Sequence, residues 1–106
     1  MPKAFLIKMT TNEKTEVVTP KMIIGRSSSE KERPVVDHSA DANLMVSRIH
    51  AVILYKDEEY YLVDCGALNK TFLNDEELAV NAEYILHDND VLRFANEKYR
   101  FRRSEE

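Results

Sequence analysis

The sequence predicts an all-β sandwich built as a single domain. Short apolar runs recur about every ten residues along the chain, the spacing that favours a sandwich of short strands. Clusters of Asn, Asp, Glu and Gly separate these runs, and the periodicity within them is that of strands. A chain of 106 residues can build one hydrophobic core. We therefore expect one domain over residues 1–106, with its core at about 4–102, standing alone or as the N-terminal domain of a longer protein.

The N-terminal part predicts three strands. Apolar residues alternate over residues 5–9, polar turn residues follow at 11–14, and a second apolar run at 16–18 completes a hairpin. The third strand is Met22-Ile23-Ile24, which ends at Gly25-Arg26. A long polar connection follows over residues 27–45, with a short β-like pair at Val35-Val36; connections of this length are commonly functional.

The C-terminal part is more regular. Residues 49–56 and 59–64 form a predicted hairpin about the turn Asp57-Glu58, and their continuous apolar runs are typical of inner strands. The pattern then breaks over the polar stretch 64–70. Beyond it we expect a strand at 71–73, a turn at 74–76, a strand near 78–80, a turn at 81–83 and closing strands at 90–94 and 98–102.

Composition narrows the classes of function. A net charge of −4 and a pI near 5.4 argue against sequence-independent nucleic-acid binding, which depends on a surplus of Lys and Arg. The lone Cys65 cannot form an internal disulfide and indicates a reducing setting inside the cell, nuclear or cytoplasmic. No apolar run is long enough for a signal peptide or a membrane span, so we expect no membrane contact.

Polar motifs occur in a fixed order along the chain. Gly25-Arg26 ends an early strand, and Ser47-Arg48-Ile49-His50 opens the middle hairpin. The segment 64–74 reads Asp-Cys-Gly-Ala-Leu-Asn-Lys-Thr-Phe-Leu-Asn, and 88–94 reads Asp-Asn-Asp-Val-Leu-Arg-Phe. In this order and spacing the motifs resemble those of the forkhead-associated (FHA) domain, over nearly the whole chain. The resemblance implies an FHA-like sandwich of about eleven short strands in two sheets, with binding loops at one end.

The resemblance also implies a signalling module that binds threonine-phosphorylated segments of partner proteins. A phosphothreonine carries a charge near −2 and needs a cation and fixed donors. The residues expected to bind the phosphate are Arg26, Ser47 (through its hydroxyl and its N–H) and Thr71. Those expected to contact the peptide are Arg48, Asn69 and Lys70. Those expected to support the site are Gly25, His50, which would bond neighbouring loop backbone, and Asn74.

Two positions depart from the family pattern. Lys70 stands where the family most often has Gly, so either a positive φ there costs about 1 kcal/mol or the chain adopts another turn and the loop is reshaped. Ala67 stands where a Ser is common, which removes one hydrogen bond from the loop. Lys70 also places a cation beside Asn69, where it would attract an acidic phosphopeptide.

Other functions find less support in the sequence. We expect no enzyme, because a Cys-x5-Arg phosphatase loop at Cys65 would need Arg where Thr71 stands. We expect no cofactor and no metal, since the three His residues and Cys65 lack ligand spacing. We also expect no direct nucleic-acid binding, and a monomer. The alternative that stays open is an FHA-like scaffold that binds a partner, or itself, through a sheet surface without any phosphate.

Overall fold

The computed structural model describes residues 2–25, 36–37, 46–47 and 49–104. These residues form eleven strands. Their bounds are β1 Ala4–Lys8, β2 Lys14–Glu16, β3 Lys21–Gly25, β4 Val36–Asp37, β5 Ala51–Lys56, β6 Glu59–Asp64, β7 Thr71–Leu73, β8 Glu76–Glu77, β9 Tyr84–Ile85, β10 Val91–Phe94 and β11 Glu97–Arg103.

The strands form two sheets that pack face to face. One sheet has six strands in the order β2-β1-β11-β10-β7-β8, and the other has five in the order β4-β3-β5-β6-β9. Neighbouring strands run antiparallel, except that β3 and β4 run parallel. The predicted all-β sandwich is confirmed, and the hairpin β5–β6 lies in the interior of its sheet, where strands with continuous apolar runs belong.

The core lies between the two sheets and follows the alternation of each strand. Every second side chain of the long strands points inward, because successive residues of a strand face opposite sides. The fully buried large side chains include Leu6, Met22, Ile24, Ile53, Tyr60, Leu62, Leu92, Phe94 and Phe101. Tyr60 packs edge-on against Phe101 and donates its hydroxyl to the carbonyl of Pro2, 2.6 Å away, so this large ring is buried with its polar end satisfied.

Tight turns fix the register of the hairpins. Lys56 pairs with Glu59, which leaves Asp57 and Glu58 as a two-residue loop with φ of 51° and 65°. Asn74 and Asp75 form a second such loop, with φ of 50° and 70°. Two positive φ values in succession are typical of the type I′ turn, whose twist matches that of the flanking strands.

Three details differ from the prediction. The second strand is β2 at Lys14–Glu16, and Val17 follows it as a buried residue. The strand expected near 78–80 is formed by Glu76–Glu77, because the turn at Asn74-Asp75 starts the ladder at once. Strand β9 was not predicted, since its two residues stand alone among polar ones. No helix in the described residues is long and apolar enough to cross a membrane.

Candidate functional site

Loops from both sheets meet beside the end of β3. The N–H of His50, just before β5, donates to the carbonyl of Ile24 at 2.9 Å. The carbonyl of His50 accepts the N–H of Cys65, just after β6, at 3.1 Å. His50 thus joins the end of β3 to the β6–β7 loop, which runs over residues 65–70.

The side chain of His50 holds the same loops together from inside. It is completely buried, and its ring packs edge-on against Phe94 at 5.8 Å between centroids. The N–H of Ser47 donates to Nδ1 of His50 at 3.1 Å, and Nε2 lies 2.6 Å from the carbonyl oxygen of Lys70. One imidazole therefore bonds main-chain atoms of the segment before β5 and of the β6–β7 loop.

These contacts determine the tautomer of His50. A backbone N–H can only donate, so Nδ1 accepts; a carbonyl oxygen can only accept, so Nε2 carries the proton. The ring is neutral in this arrangement. Burial lowers its pKa from the ordinary 6.5, against smaller upward contributions from the Lys70 carbonyl and the Asp64 carboxylate.

Ser47 makes a second link to the β6–β7 loop. Its Oγ accepts the N–H of Leu68 at 3.2 Å, and a hydroxyl that accepts one bond keeps its own proton for another acceptor. The Ser47 N–H was expected to donate to the phosphate, but the structure gives it a different partner, Nδ1 of His50. Ser47 offers a ligand its hydroxyl, held at the surface of the loop.

A buried polar pair closes the base of the β6–β7 loop. The Thr71 hydroxyl donates to Oδ1 of Asp64 at 2.6 Å, and the two residues are 0% and 1% exposed. The other carboxylate oxygen accepts the N–H of Gly66 at 3.1 Å. Asp64 ends β6 and Thr71 begins β7, so this pair ties together the two strands that the loop connects, one from each sheet.

Thr71 is therefore placed differently from the expected phosphate ligand. Its side chain is enclosed, and its single hydroxyl proton is used on Asp64. A direct bond from this proton to a phosphate would leave a buried carboxylate oxygen without its donor. The geometry favours an indirect role, in which Thr71 fixes the loop that carries Asn69 and Lys70.

The backbone of Lys70 is left-handed, as the family's usual Gly would allow. Its φ is 66°, its N–H donates to the Ala67 carbonyl at 3.2 Å, and its own carbonyl accepts both His50 Nε2 and the N–H of Ala95. A side chain at such a position costs about 1 kcal/mol relative to Gly. The loop therefore has a positive φ at a residue other than Gly and bears its cost, while the Lys70 side chain is exposed.

The tip of the β6–β7 loop presents three side chains together. Leu68 is 83% exposed, Asn69 is partly buried and Lys70 is exposed. Because the N–H of Leu68 bonds the Ser47 hydroxyl, the tip lies directly beside Ser47. A hydroxyl, an amide, a cation and an apolar side chain thus share one end of the sandwich.

The remaining expected residues are placed as follows. Gly25 is buried at the end of β3. Arg26 and Arg48 lie outside the described residues. Asn74 lies at the opposite end of β7 from Thr71, where its side chain bonds Asp90 and the N–H of Val91. It supports the β7–β8 turn and β10 and makes no described contact with the loops around His50.

Sequence reasoning assigned no role to three residues that matter here. Asp64 was noted only as the start of a motif, and its bond to Thr71 could be found only once the two strands that the loop connects were placed. Leu68 gave no sign beyond being apolar in a loop. Ala95 follows β10, far along the chain, and its bond to Lys70 could be found only from the fold.

The family comparison decides the identity. The pattern of the FHA domain matches residues 22–95, which is more than half of the chain. The chain belongs to the FHA family. The predicted resemblance is thereby confirmed.

A search for metal sites covered the described residues only. Among them, no group of three or more His, Cys, Asp or Glu side chains is placed to hold a metal ion.

Known proteins similar to this FHA domain include Smad nuclear-interacting protein 1 of mouse and its rat counterpart, each 32% identical over 76% of this chain. The chain spans about a quarter of the length of these curated relatives, since 25% of each is covered.

Solved structures share the fold. Mycobacterium tuberculosis EmbR in complex with a low-affinity phosphopeptide has a TM-score of 0.84 at 21% identity, covering 98% of this chain and 25% of that one. An FHA domain from a structural and functional study of phosphothreonine-dependent FHA interactions has a TM-score of 0.77 at 22% identity, covering 94% and 95%. The FHA domain of an Arabidopsis thaliana hypothetical protein has a TM-score of 0.82 at 17% identity, covering 100% and 89%.

Replacing Thr71 by Val tests the clasp at the base of the loop. The change keeps the shape and removes the hydroxyl, so a buried oxygen of Asp64 loses its donor, and we expect the free energy of unfolding to fall by about 1–3 kcal/mol. Urea denaturation followed by circular dichroism measures this free energy. Thr71→Ser keeps the hydroxyl and removes the methyl group, and it should lose clearly less; a loss in Thr71→Ser as large as that in Thr71→Val would contradict a dominant contribution from the hydroxyl bond.

The buried neutral ring of His50 predicts an acid-sensitive fold. Its folded pKa lies below the ordinary 6.5 of the unfolded chain, so its contribution to stability is full above pH 6.5 and is lost as pH falls below that value. For one proton, the free energy of unfolding changes by at most about 1.4 kcal/mol per pH unit. Urea denaturation at pH values between about 5 and 7.5 measures this slope.

His87 provides the matched control for this pH dependence. Its side chain is 76% exposed, so His87→Gln should keep the slope, whereas His50→Gln should remove it. An unchanged slope in the His50 variant would assign the acid sensitivity to another group.

Proposed function

We propose that this FHA domain binds threonine-phosphorylated segments of partner proteins as a signalling module. The observation that carries the proposal is the joining of the two loops by His50 and Ser47, which sets the Ser47 hydroxyl beside Asn69 and Lys70. Membership of the FHA family supports it. So do the similar structures, one a complex with a phosphopeptide and one from work on phosphothreonine-dependent interactions.

The chemistry of the site fits a phosphate dianion. In the proposed arrangement Arg26, which follows Gly25 directly in the chain, supplies a guanidinium, and Ser47 donates its hydroxyl. Asn69 pairs with the main chain of an extended peptide, and Lys70 adds a cation. Arg48 contacts residues that follow the phosphothreonine. Gly25, His50, Thr71 and Asn74 hold the frame, the last from the far end of β7.

The expected affinity is modest. Two or three charge-assisted hydrogen bonds contribute about 1.5–3 kcal/mol each, and Asn69 and the packing of the peptide add to this gain. Ordering a flexible peptide offsets several kcal/mol of this gain. We therefore expect a binding free energy near −8 kcal/mol, which corresponds to a dissociation constant of about 1 μM. The domain would then depend on tethering to its partner or on a second contact for tight association.

The wider setting is part of the same proposal. We propose a single domain over residues 1–106 that binds without catalysing a reaction, as family membership supports. Because the chain spans a quarter of its curated relatives, the partner of the whole protein is open to experiment. A nuclear or cytoplasmic location is supported by the lone cysteine and by similarity to a nuclear-interacting protein.

A threonine-phosphorylated peptide library tests the function. We expect micromolar binders whose affinity is lost on dephosphorylation and on Arg26→Ala, and reduced by Ser47→Ala, because each change removes a charge or a donor from the phosphate. Fluorescence anisotropy of labelled peptides measures it, with circular dichroism to verify folding. Binders indifferent to phosphorylation and to Arg26→Ala would point to a phosphate-independent scaffold, and equal binding of phosphoserine peptides would exclude a pocket for the threonine methyl.

Lys70 separates strain from charge. Lys70→Gly relieves the positive φ and should raise the free energy of unfolding by up to about 1 kcal/mol. Lys70→Gln keeps the strained backbone and leaves stability unchanged. Both variants lose the cation, so both should bind an acidic phosphopeptide more weakly, as measured by isothermal titration at low salt. Wild-type affinity in Lys70→Gln would remove the side chain from the site.

A further inference from the structure

The outer face of the six-stranded sheet carries a concentration of cations. Register places Lys14, Arg93, Lys98, Arg100 and Arg102 on this face, which is called the basic face below. These five residues stand out because the whole chain carries a net charge of −4. The charge of the molecule is therefore unevenly distributed, with positive charge gathered on one flank of the sandwich.

Apolar side chains lie between the cations. Ile7 pairs with Lys14 on one side and Arg100 on the other, and Phe5 pairs with Arg102. Further along, Arg93 pairs with Phe72. A surface cavity of about 310 Å³ opens beside Phe5 and Ile7. It is lined by Phe5, Ile7, Lys14, Arg102, Arg103 and Ser104. The basic face thus has an apolar floor with cations around it, which suits a ligand that is both acidic and apolar.

Few carboxylates neutralise the basic face. Asp88 pairs with Arg102 at 3.0 Å, and Glu16 and Glu77 share the face only on the outermost strands β2 and β8. Within the described part of the chain, the other four cations of the face form no ion pair. Lys14 and Lys98 are exposed, whereas Arg93 donates to the Ala95 carbonyl at 2.9 Å and Arg100 to the Asn89 carbonyl at 3.0 Å. These carbonyl bonds leave the positive charges without a counterion, so they attract an anionic partner.

The aromatic rings distinguish between an acidic peptide and a nucleic acid. Proteins that hold single-stranded nucleic acid stack bases on open aromatic faces. Here Lys14 lies over Phe5, with 5.3 Å from Nζ to the centroid, and Arg93 lies over Phe72, with 3.7 Å from Cζ to the centroid. A cation already covers one face of each ring, and the net charge of −4 disfavours a polyanionic nucleic acid. Cations interspersed with Ile7 and Phe5 therefore suit a segment in which carboxylates alternate with aliphatic groups.

We infer that the basic face binds an acidic, unphosphorylated segment of a partner protein that carries aliphatic side chains among its Asp and Glu residues. Its carboxylates contact the cations, and its aliphatic side chains fill the cavity over Phe5 and Ile7. This surface is on the flank of the sandwich, whereas the loops around His50 are at one end. The domain therefore engages a partner at two separate places.

A short unphosphorylated peptide in which Glu alternates with Leu is the probe. Isothermal titration with the full chain should show binding that weakens as salt is added, and amide shifts in nuclear magnetic resonance should change on β1, β2, β10 and β11. Lys14→Glu/Lys98→Glu reverses two exposed cations of the basic face and should weaken binding by about tenfold or more, since it replaces attraction by repulsion.

Lys21→Glu/Lys56→Glu is the charge-matched control, because it changes the net charge equally on the outer face of the other sheet. Lys56 pairs with Glu83 at 2.6 Å, so circular dichroism verifies that this variant is folded. It should bind the probe as the wild type does, and the two double variants, whose net charges are equal, should bind the phosphopeptide equally. No binding of the probe, or equal loss in the two variants, would overturn the inference. Tighter binding of an oligothymidine strand at the same residues would assign the face to nucleic acid instead.

Discussion

The arrangement of the candidate site depends on one buried imidazole. His50 accepts the N–H of Ser47 and donates to the carbonyl of Lys70, and its own backbone bonds Ile24 and Cys65. Without this ring, two loops from different parts of the chain would each have to find an ordered position alone, at a cost in conformational entropy. Burial makes the arrangement sensitive as well as rigid, because a buried polar group that loses a partner is expensive. The Asp64–Thr71 pair works in the same way at the base of the second loop.

The fold could be predicted from the sequence because its signals are local. Alternating apolar residues, two-residue turns such as Asp57-Glu58 and the absence of helical periodicity each act within a few positions. Strand bounds were less predictable where the chain is polar: Glu76 and Glu77 pair because the preceding turn sets the register, and Tyr84–Ile85 pairs because β6 lies beside it. The pairing of these two short strands depends on a turn and on a neighbouring strand, and the strand propensity of their own residues carries no information about either.

For the site, residue types were easier to predict than the bonds they make. Ser47, Asn69 and Lys70 were expected around one end of the sandwich, and Ser47 and Lys70 are joined there through His50. The sequence could not show which of the expected donors already bond another group of the protein. The Ser47 N–H and the Thr71 hydroxyl were both assigned to the phosphate, yet they bond His50 and Asp64. The Ser47–His50 bond spans only 3 positions, but it depends on the ring being held by Lys70, 20 positions away. The Thr71–Asp64 and Leu68–Ser47 bonds span 7 and 21 positions and form only when the sheets pack.

The side chains of His50 and Ser47 hold the frame of the site by bonding main-chain atoms. The His50 ring accepts the N–H of Ser47 and donates to the carbonyl of Lys70. The Ser47 hydroxyl accepts the N–H of Leu68, and the N–H of Ala95 also donates to the carbonyl of Lys70. The exposed side chains of Leu68 and Lys70 make none of these bonds, so they can vary while the shape of the loop persists. Lys70 occupies a left-handed backbone conformation that is suited to Gly. In a loop of this kind, substitutions of the exposed residues at the tip can change which ligand is bound. They leave the bonds that hold the loop, and therefore the fold, as they are.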